Sequence, residues 1–343
     1  MNKLKVELAI TFALSVFYGV LFLFRSMYEM FRTGKKLFKV NKRKEPPRCL
    51  RDPSLGKHVY VELKEVKLHY VTNGNSQNPL MVLIHGFPDF WFSWRNQLKE
   101  FCKDYWVVAI DMRGYGESEK PEGIRAYQVS KIEDDIKQLL NALGRKSGVI
   151  VGHDWGGCVA WSLAAHYPEI VEQLIIMNAP HPRNFEETLH SNLHQFFKSW
   201  YIFFFQLPLV PELDFCAKDL AVFDKEFCSD GRSICSEEEI EAYKYYFSQP
   251  GAFTPPINFY RAAIGWLRKD LQEEYDGFRI KAPTLVIWGE KDKYLVPELA
   301  TGCARYTDNY TLRIIENASH WVHLDHAEEV NKHMWSFLKK QRK

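Results

Sequence analysis

The segment Gly148–Gly157, GVIVGHDWGG, combines an apolar run with residue types that can carry out covalent chemistry. It has the form of a strand that enters a tight turn around Asp154 and continues as a helix. This is the G-x-nucleophile-x-G arrangement, with Asp where Ser is usual. The dipole at the start of a helix favours an ionised carboxylate. An Asp that only caps an ordinary helix is a common alternative, so the turn alone does not decide its role.

Backbone N–H groups near Asp154 are expected to stabilise negative charge on an oxygen. The apolar run Leu80–Ile84 ends in HGFP. A loop at that edge of a sheet, together with the residue after the nucleophile, supplies such donors. We therefore expect the N–H groups of Phe87 and Trp155 to face the oxygen. A plain Gly-Pro turn is the alternative interpretation of the HGFP loop.

An acid follows a later apolar run, Thr284–Trp288, in the sequence GEKD. A carboxylate that comes just after a strand can orient the imidazole of a catalytic histidine. We choose Asp292 over Glu290 for this role.

A histidine follows the last apolar run, Thr311–Ile315, in the loop ENASH. We assign His320 as general base, because it comes first after the strand and reaches over the sheet edge. His323 and His326 fall at or near the start of the last helical pattern, where a solvated surface role is expected. The order nucleophile, acid, histidine along the chain is typical of the α/β-hydrolase fold.

The elements that position these residues alternate along the chain, after a hairpin pattern at His58–Lys64 and Val66–Val71. Short, nearly all-apolar strands between helices predict a mostly parallel sheet covered by helices, and hence an α/β fold. The apolar runs are Leu80–Ile84, Trp106–Ile110, Gly148–Val151, Gln173–Met177, Thr284–Trp288 and Thr311–Ile315, and the helical patterns lie near Trp91–Cys102, Tyr127–Leu143, Trp155–His166 and Ala327–Lys340.

The stretch from about Pro180 to Arg279 breaks this rhythm, because it is aromatic and shows helical patches but no clear strands. We interpret it as a helical cap inserted after the sixth strand. The turn DMRGYGES, Asp111–Ser118, lacks the Lys and the spacing of a phosphate-binding loop, and we interpret it as scaffold. The predicted organisation is a membrane anchor and basic linker at 1–45, a first core part at 46–179, the cap at 180–279 and a second core part at 280–343.

The composition excludes several classes of protein. Hydrophobic residues make up 46% and charged residues 26% of the 343 residues, unlike a disordered, collagen-like or multi-span membrane chain. Lys and Arg number 45 against 43 Asp and Glu, which is too balanced for nucleic-acid binding through bulk charge. The seven scattered cysteines include no C-x-x-C pair. This argues against a disulfide framework or a zinc site and favours a reducing compartment.

The N-terminus carries an uncharged run, Leu8–Phe24, whose length is at the lower limit for a membrane-spanning helix. A cleaved signal peptide and a buried helix are the alternatives, and the lack of a small-x-small motif after the run favours an uncleaved anchor. Basic residues are denser after the run, which predicts a cytoplasmic location for the rest of the chain. We expect a single-pass anchor in the endoplasmic reticulum membrane, and glycosylation at the sequons of Asn309 or Asn317 would contradict this topology. The basic residues are Lys3 and Lys5 before the run, and Arg25, Arg32, Lys35, Lys36, Lys39, Lys42, Arg43 and Lys44 after it.

Five motifs resemble those of the epoxide hydrolases with the α/β-hydrolase fold: HGFPDFWFSW, DMRGYGES, GHDWGG, WGEKD and ASHW. The resemblance covers nearly everything from about residue 55 onward. With its N-terminal anchor, the chain is similar to the membrane-anchored, soluble-type epoxide hydrolases. An Asp in the nucleophile turn is specific to epoxide hydrolases and the related dehalogenases.

The resemblance implies that Asp154 opens an epoxide by backside attack and forms an ester, which water can cleave, whereas a Ser would form an ether. His320, oriented by Asp292, would then activate the water. The N–H groups of Phe87 and Trp155 would hold the oxyanion. The product is a vicinal diol, and no metal or organic cofactor is needed.

Ring opening also requires an acid, and this family uses two tyrosines from the cap. The segment NFYR resembles the one that carries the second tyrosine, which implies that Tyr260 donates a proton. The segment YIFFFQLP resembles the first, but the alignment places Phe204 at the donor position and Tyr201 one helical turn away. Tyr201 could take the donor role only with a shifted cap, so a second tyrosine donor stays open. We expect the substrate to contact Phe204, Tyr201, Trp155 and Pro88.

The aromatic stretch Phe196–Phe205 is either the core of the cap or an apolar wall that meets the bilayer and admits lipophilic, fatty-acid-derived epoxides. Two other functions stay open. One is a dehalogenase in which the ring N–H of Trp155 holds a halide, although Tyr260 favours an epoxide. The other is a non-catalytic, membrane-tethered binding protein, for which Phe204 is the only support. The expected partners are a small lipophilic epoxide and the membrane, and no nucleic acid.

Overall fold

The computed structural model describes residues 3–34, 36–263 and 279–341. Lys35 of the predicted basic linker and residues 264–278 of the predicted cap lie outside the described residues. Within those ranges, ten strands form one large sheet and one small hairpin. In chain order they are β1 (Lys57–Glu62), β2 (Lys67–Asn73), β3 (Leu80–Ile84), β4 (Trp106–Ile110), β5 (Gly148–His153), β6 (Val171–Met177), β7 (Cys228–Ser229), β8 (Arg232–Ser233), β9 (Thr284–Gly289) and β10 (Tyr310–Ile315).

The large sheet has the strand order β1-β2-β4-β3-β5-β6-β9-β10. The predicted N-terminal hairpin is confirmed, since β1 pairs antiparallel with β2 and β2 with β4, whereas all later neighbours are parallel. Strands β3, β5 and β9 are buried along their whole length, which explains their all-apolar sequences. Because parallel strands end at one edge, the loops after β3, β5, β9 and β10 meet there.

Helices cover this sheet, as the alternating pattern predicts. Helix α4 lies against β5 and β6, and α2 lies against β4. Ten of the twelve residues of α4 are buried, so its sequence is apolar on nearly every side. The helices are α1 (Lys3–Thr33), α2 (Arg95–Phe101), α3 (Val129–Ala142), α4 (Trp155–His166), α5 (Pro182–Ser191), α6 (Leu193–Lys198), α7 (Trp200–Phe204), α8 (Val210–Leu220), α9 (Val222–Glu226), α10 (Glu237–Phe247), α11 (Thr254–Ala263), α12 (Glu298–Gly302), α13 (Val322–Asp325) and α14 (Ala327–Gln341).

The predicted cap is present after the sixth strand, where α5 to α11 separate β6 from β9 in the described chain. It also contains the β7–β8 hairpin, which the sequence analysis did not predict. Each of these strands is only two residues long, too short to show an alternating pattern. Helix α8 is interrupted at Ala217–Asp219, where the backbone leaves helical geometry.

Helix α1 contains one segment, Leu8–Arg32, that is long and apolar enough to cross a membrane by length and composition. Signal sequences and buried core helices can share these properties. In the structure α1 lies along α7 of the cap, and the hydroxyl of Ser15 donates a hydrogen bond to the carbonyl oxygen of Phe203 at 2.7 Å. The N-terminal segment is thus in direct contact with the cap.

Candidate active site

Asp154 lies in the sharp turn between β5 and α4. Its backbone has φ 50° and ψ −120°, a conformation that a residue with a side chain adopts only under constraint. A Cβ on Gly152 would lie 2.3 Å from the carbonyl oxygen of Gly156, and one on Gly156 would lie 2.1 Å from that of Ile84. Only glycine fits on either side of the turn, as the motif predicts.

The loop after β3 approaches Asp154 closely. The N–H of Phe87 donates a hydrogen bond to Oδ1 of Asp154 at 2.8 Å. A Cβ on Gly86 would lie 2.4 Å from the Cβ of Asp154, so a glycine is required for this approach. Trp155, the residue that holds the second expected donor, directly follows Asp154 and begins α4. The first of the two expected N–H donors therefore contacts a carboxylate oxygen.

His320 contacts both Asp292, the predicted acid, and Asp154, the predicted nucleophile. Its Nδ1 lies 2.7 Å from Oδ2 of Asp292, and its Nε2 lies 3.5 Å from Oδ2 of Asp154. His320 is 2% exposed and Asp292 is 4% exposed, so both interactions are shielded from water. Three residues that are far apart in the sequence thus meet at one edge of the sheet, each after a different strand.

Neighbouring charges and hydrogen bonds shift the pKa values of His320 and Asp292 in the direction opposite to the effect of burial. Burial alone would lower the pKa of His320, but the charge of Asp292 and hydrogen bonds to Asp154 and Asp292 raise it to about 10. Burial would raise the pKa of Asp292, but His320 and hydrogen bonds from its neighbours hold it below its usual value. The imidazole is therefore protonated at neutral pH.

Two elements that the sequence analysis missed fix Asp292. The side-chain amide of Asn178 donates to Oδ2 of Asp292 at 2.7 Å, and its oxygen accepts the N–H of Gly289 at 3.0 Å. The N–H groups of Tyr294 and Leu295 donate to Oδ1 of Asp292 at 2.7 and 2.9 Å. Asn178 directly follows β6, so the search for polar residues at strand ends that led to Asp292 could also have found it.

The sequence left open whether Tyr201 stands in for the first tyrosine, because the alignment places Phe204 at that position. Tyr201 lies beside Tyr260, with ring centroids 5.8 Å apart. The ring of Phe204 packs at 5.8 Å against Phe22 of α1 and at 5.8 Å against Trp200. Phe204 thus packs against α1, Tyr201 lies next to Tyr260, and both side chains line the cavity that contains Asp154.

Both tyrosines keep their protons at neutral pH. Burial and the nearby charge of Asp154 raise the pKa of Tyr201 and of Tyr260 well above the ordinary value. The ring of Trp155 lies 5.0 Å from that of Tyr260, and its side chain partly offsets the rise in the pKa of the Tyr260 hydroxyl. Two neutral O–H groups are thus available close to the nucleophile.

The structure also corrects the expectation that His323 is a solvated surface residue. It is fully buried, and its ring lies 4.4 Å from that of His153 and 4.7 Å from that of Trp94. With Asp89, the two histidines form a buried polar cluster whose potential ligand atoms lie within 4.8 Å of one another. Nε2 of His153 contacts the carbonyl oxygen of His320 at 2.9 Å, so the cluster supports the loop that carries the base.

A cavity of about 300 Å³ opens over Asp154 and His320. Phe204, Tyr201 and Pro88 line it, and Trp155 lines a second cavity of about 100 Å³ that also reaches Asp154. All four residues that were expected to contact the substrate therefore face one of these two spaces. Most of the walls near the nucleophile are aromatic, which suits an apolar ligand.

Comparison with known sequences shows similarity to a family model and to epoxide hydrolases. Residues 79–327 match the family model described as alpha/beta hydrolase fold. The chain is 42% identical to epoxide hydrolase 4 of Homo sapiens, over 93% of this chain and 89% of that protein. It is 40% identical to epoxide hydrolase 1 of Caenorhabditis elegans, over 90% of this chain and 75% of that protein.

Solved structures give the same result. A point mutant of an epoxide hydrolase from Bacillus megaterium superimposes with a TM-score of 0.74 at 32% identity, over 82% of this chain and 100% of that one. Another mutant of that enzyme, in complex with its product (R)-3-[1]naphthyloxy-propane-1,2-diol, has a TM-score of 0.72 at 33% identity over the same shares.

Proposed function

The chain belongs to the epoxide hydrolases of the α/β-hydrolase family, and we propose that it converts lipophilic epoxides to vicinal diols through a covalent ester on Asp154. The observation that carries this proposal is the position of His320, whose ring nitrogens lie 2.7 Å from Asp292 and 3.5 Å from Asp154. A base in that place is within reach of a water molecule beside an ester on Asp154.

The first step is the opening of the ring. A carboxylate oxygen of Asp154 forms a bond to one epoxide carbon while the bond between that carbon and the ring oxygen breaks. The electron pair goes to the ring oxygen, which takes a proton from Tyr201 or Tyr260. The raised pKa of both hydroxyls keeps them protonated before this step, and a neutral acid next to the leaving oxygen lowers the barrier.

The second step is hydrolysis of the ester. His320 takes one proton from water, and the oxygen attacks the carbonyl carbon of the ester. The N–H groups of Phe87 and Trp155 stabilise the oxyanion. When the bond to the alkyl oxygen breaks, His320 returns its proton to that oxygen, and the other water proton passes to the tyrosinate. Enzyme and diol are then both complete.

Ester formation itself switches His320 to a base. In the free enzyme, the carboxylates of Asp292 and Asp154 together hold the pKa of His320 at about 10, against the effect of burial. The ester removes the charge on Asp154, so the pKa of His320 falls and its proton passes to solvent, from which it returns when hydrolysis restores the carboxylate of Asp154. The base therefore becomes available only after there is an ester to hydrolyse.

The contact between Trp155 and Tyr260 favours an epoxide over an alkyl halide. A dehalogenase needs the ring N–H of Trp155 for the halide, whereas here the Trp155 ring packs 5.0 Å from the ring of Tyr260 and its side chain acts on the Tyr260 hydroxyl. The alternative of a non-catalytic binding protein rested on Phe204 alone. Tyr201 supplies the hydroxyl that Phe204 lacks, which removes that support.

A direct assay tests the function. The full chain, in phospholipid vesicles, is given a long-chain fatty-acid epoxide and, separately, a bromoalkane of the same length. We expect diol from the epoxide and no bromide from the haloalkane, and we expect Asp154→Asn to form no diol. Bromide release without diol would favour the dehalogenase. Neither product, with no adduct on Asp154, would favour a binding protein.

We also propose that α1 anchors the chain in the endoplasmic reticulum membrane with the catalytic part in the cytoplasm. The basic residues that follow the apolar run support this orientation. Asn309 and Asn317 are both exposed, so a lumenal domain would offer these sequons to the glycosylation enzymes. Expression in cells followed by glycosidase treatment should leave the mass unchanged, and a shift would reverse the orientation.

A further inference from the structure

Helix α1 forms part of the wall of the cavity over Asp154. Phe22, Arg25, Ser26 and Glu29 line the same space as Asp154 and His320. These α1 positions are three or four residues apart and lie on one side of the helix. The segment that was predicted as a separate anchor therefore borders the site where the chemistry takes place.

Small residues on this side of α1 allow the helix to pack closely against the cap. The hydroxyl of Ser15 donates to the carbonyl oxygen of Phe203 at 2.7 Å. A Cβ on Gly19 would lie 2.6 Å from Cδ1 of Leu207. Small residues at four-residue spacing let helices approach closely and are typical of contacts inside membranes.

The opposite side of α1 is apolar and exposed. Its large side chains, together with exposed apolar residues of the cap, form a large apolar surface, which is rare on the side of a protein that faces water. They are Phe12, Val16, Phe17, Val20, Leu21, Leu23, Phe24 and Met27 on α1, and Leu193, Phe197 and Leu209 on the cap. This distribution fits a lipid environment on the outer side and the cap with its cavity on the inner side.

Two charged pairs lie on the α1 side of the cavity, here called its mouth. Arg25 pairs with Asp214, and Glu29 pairs with Lys218 at 2.9 Å. All four residues line the cavity, and the two on α1, Arg25 and Glu29, come one and five residues after the uncharged run ends at Phe24. The mouth therefore has an apolar part beside Phe22 and a charged part at the level where lipid head groups begin.

We infer that α1 is part of the substrate-binding site and opens the cavity toward the bilayer, so that the epoxide it takes is an amphipathic lipid from the membrane itself. This inference rests on the proposed function for the reaction. It adds the route by which the substrate enters the cavity and the class of substrate, an amphipathic lipid. An alkyl chain lies along the apolar part of the mouth while the polar end of the lipid stays at the charged part.

A pair of neighbouring substitutions tests the inference. Ser26 is 7% exposed and lines the cavity, whereas Met27 is 67% exposed on the other side of α1. The kcat/KM of Ser26→Trp and Met27→Trp is measured in vesicles for 9,10-epoxyoctadecanoic acid and for styrene oxide. We expect the ratio of the two values to fall at least fivefold in Ser26→Trp, mainly through KM, and less than twofold in Met27→Trp. An unchanged ratio in Ser26→Trp, or an equal fall in both variants, would overturn the inference.

A second measurement separates this inference from the reaction. Ser26→Cys and Met27→Cys are alkylated in vesicles with a lipid-soluble maleimide, and each site is followed by peptide mass spectrometry. Octadecanamide, which has no epoxide, should slow alkylation at position 26 at least fivefold and leave position 27 unchanged. That result would uphold the role of α1 even if no epoxide were hydrolysed and the proposed function failed. Equal rates at both positions with and without the amide would refute the role of α1, whatever the enzyme hydrolyses.

Discussion

The rings of Tyr201 and Tyr260 lie 5.8 Å apart and nearly perpendicular, at 86°, in the cavity that contains Asp154. Besides burial, the charge of Asp154 raises the pKa of both hydroxyls. Both tyrosines are thus near the nucleophile and protonated. The site has two candidate proton donors, whereas the sequence left the second one open.

We predict that Tyr201→Phe and Tyr260→Phe each slow ester formation by about 10- to 100-fold, because general acid catalysis is worth about 10²- to 10⁴-fold and two donors share it. Single-turnover kinetics with rapid quenching measures this step directly. Phe204→Tyr is the matched control, and it should not restore the rate when added to Tyr201→Phe. Full restoration would mean that the alignment, and not the observed contact with Phe22, describes the active conformation.

Asp292→Asn should uncouple the two steps. The amide no longer stabilises the imidazolium of His320, so ester hydrolysis should slow by about 10²-fold or more, while ring opening by Asp154 continues. Intact-protein mass spectrometry should show an enzyme that accumulates one bound substrate. Glu290→Gln, which changes the exposed acid two residues earlier, should hydrolyse the ester within twofold of the wild-type rate. If the Glu290 variant accumulated bound substrate instead, Glu290 and not Asp292 would be the acid that orients His320.

The raised pKa of His320 predicts a pH-dependent stability. The pKa is about 10 in the folded protein and about 6.5 in an unfolded chain. A group whose pKa is raised by folding stabilises the protein fully below the unfolded value, and this contribution is lost as pH rises through the folded value. The melting temperature of the wild type relative to His320→Gln should therefore fall between about pH 6.5 and 10. The partly exposed His326→Gln serves as the reference, and a difference for His320 that does not change with pH would contradict the assignment.

Strand ends account for most of what the sequence predicts about this site. Asp154, Asp292 and His320 each follow an apolar strand, and parallel strands bring such loops to one edge whatever the intervening chain does. Gly152 is required by the backbone of Gly156 four residues later, whereas Gly156 is required by the carbonyl oxygen of Ile84 at the end of β3; the motif in the local sequence reveals both. Asn178 obeys the same rule and was overlooked.

Contacts between distant helices account for what the sequence did not predict. Whether Tyr201 or Phe204 lies next to Tyr260 in the cavity depends on the rotation of the short helix α7. That rotation is set by α1, which packs on α7 through Phe22 and lies about 180 residues earlier in the chain. His323 has the sequence context of a helix start, and its burial comes from rings of other elements, Trp94 and His153.

The most direct test of the account is a single turnover in H₂¹⁸O with enzyme in excess over epoxide. If water attacks an ester on Asp154, the first turnover places ¹⁸O in the carboxylate of Asp154 and leaves the diol unlabelled, while Asp154→Asn forms neither labelled peptide nor diol. If ¹⁸O appears in the diol of the first turnover and Asp154 stays unlabelled, water attacks the epoxide directly, and the covalent mechanism is wrong.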